Sequence, residues 1–445
     1  MIKKLLALLL TLGLTCSLVT AQTVSYAETL YDEEKILDYI WEGTEVYQEA
    51  VTPIKEKDGS IAPISLLYPI DQIIEVKNAP LTKTYTAGED YAVEGGKLII
   101  KTSGKISALT YDEYNPTTGT AGFESVDGGY LLWMEGSWYH QRQIVVTYTH
   151  SSEYTQYIPE GKGLLLPKTV EKLKGDQLNV LVYGDSISEG GNSSGNNMIE
   201  TSPYMPIYPQ LFCNGLKQIY GVQTVNLYNA AQGGTDSAWG LSSLRGNVFD
   251  KFADIDLAIV AFGGNDVRTD PDTYASNMRR IASGLKSKYK DIEIILVSSI
   301  VPNKKAVNFY GNQYMFNGKL MELEEEGVAV ANINGVTEGM LNIKKFADIT
   351  GNNINHINDF HARVYAQTLL KTLEVSDYDV KPEEPTDSTD STESVDTTDS
   401  TVSDSASESA NGGAATKACG SVAGVSGTAA IVCLAALAIK RRKNT

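Results

Sequence analysis

Four short blocks of this chain carry residue types suited to attack on a carbonyl. Gly184-Asp185-Ser186 ends the apolar run Leu178-Asn179-Val180-Leu181-Val182-Tyr183, so a serine hydroxyl sits where a buried strand stops. The Ser186 N–H then opens a turn or helix, where free donors can stabilise an oxyanion. Gly233-Gly234 follows a second apolar run, and Gly263-Gly264-Asn265-Asp266 a third. A glycine lets its N–H come close to a ligand, and an asparagine offers an amide donor that cannot be deprotonated. Ser186 N–H, Gly234 N–H and the Asn265 side chain could together form a three-donor oxyanion hole. A serine also needs a base that titrates near pH 7, which a histidine supplies. The fourth block, Asn352-Asn353-Ile354-Asn355-His356-Ile357-Asn358-Asp359-Phe360-His361, holds two, His356 and His361.

Bringing these blocks together takes an open parallel sheet, because such sheets place ligands at the carboxyl ends of their strands. From Gly175 to about Val375 five apolar runs (180–183, 222–227, 257–262, 292–297 and 328–333) alternate with helical stretches. Those at 272–288, 309–325 and 362–373 are the clearest. This pattern predicts a doubly wound α/β sheet with helices on both faces. From about Thr29 to Lys168 the character is β, with short Tyr-, Thr-, Val- and Ile-rich runs at 73–76, 97–100 and 143–148. Glu94-Gly95-Gly96 and Asp127-Gly128-Gly129 read as hairpin turns, and the spacing suggests an all-β sandwich. Tyr130, Trp133, Trp138 and Tyr139 either fill its core or line a sugar-stacking face. His140 and His150 read as ordinary strand residues.

The four blocks, in this order, resemble the SGNH (GDSL) hydrolase superfamily over about Leu178–Leu373. The β-rich region ahead of them is similar in architecture to two-domain carbohydrate esterases, including acetyl xylan and polysaccharide deacetylases. The resemblance implies a flavodoxin-like three-layer α/β/α domain preceded by a β-sandwich, jelly-roll-like domain. It implies a metal- and cofactor-independent serine esterase with Ser186 as nucleophile and Ser186, Gly234 and Asn265 as oxyanion hole. Asn-His-Ile-Asn-Asp-Phe matches the family's last block, which makes His356 the base. The family's acid, three residues before the histidine, is here Asn353, and proline after the histidine is Ile357. The expected machinery is therefore a Ser-His dyad aided by Asn353 or Asp348, or one whose ring is held by a backbone carbonyl. A severalfold gain on Asn353→Asp would show the missing charge to be a handicap, and no change would favour the carbonyl. Asp185 and Asp266 read as structural. Trp239 either stacks on substrate or packs on its helix.

The chain has 445 residues, 42% hydrophobic, with a net charge of −18 that argues against nucleic acid as partner. Four cysteines without bridge or zinc spacing exclude a disulfide-built fold. Residues 1–27 read as a signal peptide, with Lys3-Lys4, the apolar stretch 5–14 and Ser25-Tyr26-Ala27. The β region is assigned to 28–170, the hydrolase-like domain to 175–376, and an acidic Ser/Thr-rich spacer to 377–418. Residues 381–410 alone carry eight of the eighteen net negative charges. Residues 419–445 hold an apolar stretch followed by Lys440-Arg441-Arg442-Lys443, a transmembrane or sorting segment that would keep the domains on the outer surface of a bacterium. The expected substrate is acylated polysaccharide. The rival readings are an inactive surface glycan-binding protein on the same scaffold, and a lipase or thioesterase.

Overall fold

The computed structural model describes residues 30–119 and 122–375. The expected signal, spacer and C-terminal segments lie outside the described residues. No helix among those described is long and apolar enough to cross a membrane.

The N-terminal region is antiparallel. Strands β1 (Glu45–Val51), β2 (Gln72–Asn78) and β7 (Ile144–Thr149) form a sheet in the order β1-β7-β2. Strands β3 (Tyr91–Glu94) and β4 (Lys97–Ile100) form a hairpin across Gly95-Gly96, both at positive φ, as the sequence predicts. Strands β5 (Gly122–Glu124) and β6 (Tyr130–Leu132) pair across the Asp127-Gly128-Gly129 turn. The four aromatics expected at either a core or a sugar face do not make one face. Tyr139 is fully buried, Trp138 packs beside it under the Arg142 guanidinium, and Trp133 packs edge-on to Phe123. His140 donates Nε2–H to the Ser202 carbonyl at 2.9 Å, and His150 stacks on Tyr68.

In the second region all five runs become strands: β8 (Gln177–Gly184), β9 (Thr224–Asn229), β10 (Leu257–Ala261), β11 (Glu293–Val297) and β12 (Val328–Ala331). They pair in parallel in the order β12-β11-β10-β8-β9, with Val180 opposite Leu257 and Gly184 opposite Ala261. Period-two alternation divides their side chains between two cores. Leu178, Val180 and Val182 face helices α2 (Tyr208–Tyr220) and α7 (Asp359–Thr372), while Leu181 and Tyr183 face α3 (Ser237–Leu244) and α4 (Pro271–Lys288). The result is the expected three-layer α/β/α arrangement. Its strand order reverses between β8 and β10, and that switch point is where such sheets bind ligands.

The helix expected over 309–325 is broken. Residues Asn312–Met315 form a 3-10 turn and only Phe316–Met321, helix α5, is α-helical. Gly311 lies so close to the Val267 carbonyl that a Cβ there would meet it at 2.1 Å, so tight packing of this backbone against the loop after β10 overrides the local helical pattern.

The antiparallel and parallel regions share apolar cores. Ile36 and Leu37 join the cluster beneath α2 and α7, and Val336 and Met340 of α6 (Ile333–Leu341) join Val51, Ile144 and Val146. At the seam Glu49 of β1 pairs with Lys344, both fully buried, and also accepts from Tyr148 Oη at 2.8 Å.

Candidate active site

Ser186 opens α1 (Ser186–Glu189), two residues past the end of β8. Asp185 caps this helix, its Oδ1 accepting from Ile187 N–H at 3.0 Å. That is the structural role its position suggested. Burial raises the Asp185 carboxyl to about 6, against the lowering effect of the Ile187 N–H. Gly184 is needed for closeness, since a Cβ there would meet Ser188 Oγ at 2.5 Å and the Ala261 carbonyl at 2.6 Å. The serine stands accessible on a rigid strand end.

The loop after β9 runs alongside. A Cβ on Gly233 would lie 3.6 Å from Ser186 Cβ, and Gly233 N–H donates to Glu189 Oε2 at 2.8 Å. Gly234 follows at φ +74°, a left-handed conformation suited to glycine, in open space. Asn265 donates one Nδ2 hydrogen to the Thr235 carbonyl at 2.9 Å. This ties the loop after β10 to the one after β9 and leaves the second amide hydrogen free. Asp266 adds a second tie, accepting from Ser237 Oγ at 2.6 Å and Ser237 N–H at 2.9 Å. Ser186, Gly234 and Asn265 thus lie on three linked strand ends. Trp239, by contrast, packs with Tyr183 and Phe262 in the core beneath α3 and α4, which favours the packing alternative for it.

His356 comes from the segment before α7. Its Nε2 lies 2.9 Å from Ser186 Oγ and its Nδ1 2.6 Å from Asn192 Oδ1. The Asn192 amide cannot be flipped without loss, because its Nδ2 donates to the Gly136 carbonyl at 3.1 Å. Asn192 Oδ1 therefore faces the ring as an acceptor. That fixes the proton on Nδ1 and leaves Nε2 to accept from the serine. His361 is elsewhere: it is fully buried, with Nε2 2.9 Å from Thr337 Oγ1, and burial lowers its pKa to about 3.

Neither residue expected to orient the ring does so. Asn353, at φ +68°, donates Nδ2 to the Leu132 carbonyl at 3.0 Å. Asp348 is buried and accepts from Thr52 N–H at 2.7 Å and Lys345 N–H at 3.1 Å. The left-handed turn at Asn353 swings that side chain towards the antiparallel region. The ring's partners are instead Asn192, from the polar loop after α1, and Glu135, whose Oε2 lies 3.7 Å from Nδ1. Glu135 Oε1 accepts from Trp133 Nε1 at 3.0 Å and from Asn352 Nδ2 at 2.9 Å. Burial alone would push its carboxyl up. The neighbouring His356 and the Asn352 and Trp133 donors outweigh that and hold it near 2. Asn192 was discoverable as a polar side chain just past the nucleophile turn. Glu135, 217 positions from Asn352, carried no local signal. Among the described residues no group of His, Cys, Asp and Glu could hold a metal ion.

Residues 182–364 match the model of the GDSL-like Lipase/Acylhydrolase family. Among solved structures the chain is similar to a two-domain esterase active on acetylated mannans, at 20% identity and TM-score 0.39, over 52% of this chain and 59% of that one. The same esterase co-crystallised with mannopentaose matches at 18% identity and TM-score 0.37, over 48% and 53% of the two chains. The chain thus spans little more than half the length of these two-domain esterase chains. A catalytic mutant of an acetylxylan esterase from Geobacillus stearothermophilus matches at 14% identity and TM-score 0.37, over 49% and 98%. No curated protein matches the sequence significantly. Residues 182–364 of this chain form a GDSL-like lipase/acylhydrolase domain of the SGNH hydrolase type.

Proposed function

We propose that this protein is a serine esterase that removes small acyl groups, acetyl first among them, from polysaccharide at the outer cell surface. The observation that carries the esterase reading is the 2.9 Å contact between Ser186 Oγ and an accepting His356 Nε2. His356 takes the serine proton as Oγ attacks the ester carbonyl. The developing oxyanion is met by Ser186 N–H, Gly234 N–H and the free Asn265 amide hydrogen. The imidazolium returns its proton to the departing sugar hydroxyl, leaving an acyl-serine. Water, deprotonated by the same nitrogen, then releases the acid.

A groove supports a sugar-bearing substrate. It has a volume of about 560 Å³ and is lined by Glu189, Asn196, Asn197, Tyr204, Gln210 and Asn229 among others. Glu189 lies one helical turn from Ser186, and Tyr204 is exposed. Amide side chains beside an aromatic ring suit the polar edges and apolar faces of sugar rings. Surface location rests on the leader-like and anchor-like sequences at the two ends.

The test is release of acetate by the full chain from p-nitrophenyl acetate and acetylated xylan. Ser186→Ala and His356→Ala are each expected to lower turnover at least ~1,000-fold. Turnover by the Ser186→Ala protein equal to that of the unaltered chain would overturn the reading. A preference for long acyl chains would move it to the lipase class.

A further inference from the structure

We infer that Glu135, on the loop that follows β6 in the antiparallel region, is the charged positioning partner of His356. It takes the place of the acid absent at Asn353. This inference rests on the esterase reading. Its carboxylate lies 3.7 Å from Nδ1 and stays half-exposed. What holds it is a donor from each side of the seam, Trp133 Nε1 at 3.0 Å from its own loop and Asn352 Nδ2 at 2.9 Å from the histidine segment.

The next residue, Gly136, supplies the carbonyl that fixes Asn192. One short loop thus sets both partners of the ring: Asn192 accepts the Nδ1 proton, and Glu135 supplies the negative charge that an amide cannot. Proton transfer from Ser186 creates an imidazolium, and an anion at this distance favours it. The carboxyls of Glu135 and Asp185 both feel the charge of His356. Asp185 belongs to the turn that carries the nucleophile, so Glu135 is the one that can be altered without disturbing the serine. The catalytic machinery is then split between two regions of the chain, and the antiparallel region contributes to turnover.

The decisive variant is Glu135→Gln, which keeps an acceptor for Trp133 and Asn352 but removes the charge. On p-nitrophenyl acetate, kcat is expected to fall about tenfold with KM nearly unchanged, a loss limited by solvent screening. The acid limb of the pH profile should also move to lower pH. Glu135→Asp should recover part of both. A loss of kcat without movement of the limb would reduce Glu135 to a structural loop residue and overturn the proposal. So would unaltered kinetics. An NMR titration of His356 in the Ser186→Ala background, with and without Glu135→Gln, reads the same interaction without substrate. If no ester is turned over by the unaltered chain, the esterase reading fails. The titration still decides: a lower His356 pKa in Glu135→Gln supports the pairing, and an unchanged one overturns it.

Discussion

The two regions of this molecule contribute to the site by opposite means. In the parallel sheet, β8 and β10 are buried on both faces and end in tight, capped turns, so Ser186 and Asn265 inherit the rigidity of the core. In the antiparallel region, Glu135 sits past a strand of three residues, half-exposed, and is placed by two side-chain hydrogen bonds. In the proposed mechanism, strand ends fix the reacting groups and a lighter loop adjusts the electrostatics around them. Binding energy and charge are cheaper to tune on a loop than on a core strand.

If this contrast holds, the largest effect comes from the seam that keeps the loop over the sheet. Lys344→Met leaves the Glu49 carboxylate buried without its cation and is expected to lower stability by about 3–5 kcal/mol. Denaturant midpoints measure it, and adding Glu49→Gln should restore most of the loss. A midpoint unchanged in the single variant would mean that this pair does not hold the regions together.

Next in size is Asn265, the proposed oxyanion donor on the rigid side. Asn265→Ala should lower kcat about 100- to 1,000-fold with little change in KM. This exceeds the loss expected for Glu135→Gln, and steady-state kinetics on one ester ranks the two. Equal losses would erase the distinction between strand-end and loop contributions.

Asn353→Asp sharpens the comparison from the other direction. From sequence, this change restores the family's charge and raises activity only if the missing charge is a handicap. In the structure the side chain faces the Leu132 carbonyl, so a carboxylate there would confront another acceptor in a buried site. The expected outcome is no gain in kcat and a loss of about 1–3 kcal/mol in stability. A severalfold rise in kcat would mean that the aspartate reaches His356 after all and that Glu135 is dispensable.

What was legible in the sequence follows the same division. Strands buried on both faces read as continuous apolar runs, so all five parallel strands and the residues at their ends were visible. Hairpin turns were visible through Gly95-Gly96 and Gly128-Gly129. Whether Asn353 points at the ring depends on one left-handed φ, which the residue type permits but does not dictate. The Glu135 contact depends on how two regions pack, a long-range outcome with no local periodicity. The broken helix near Gly311 failed for a similar reason, because a tertiary approach overrode its local pattern.

The smallest effect concerns the second histidine of the fourth block. His361 lies fully buried beside Thr337 and the Ile349 carbonyl, and desolvation lowers its pKa to about 3 against about 6.5 in an unfolded chain. A base whose folded pKa is depressed binds its proton more readily when unfolded. Its contribution is therefore flat above about pH 6.5 and turns destabilising as pH falls from there towards 3, by at most ~1.4 kcal/mol per unit. His361→Gln removes this proton uptake. The variant should be less stable than the parent at pH 7, because it disturbs a packed site, yet lose less stability between pH 6.5 and 4.5. Urea midpoints across that range test the difference in slope. Parallel curves would mean that His361 takes up its proton in the folded state. That would place a titrating base in the core as well as at the serine, and the division between a neutral buried histidine and a working accessible one would fail.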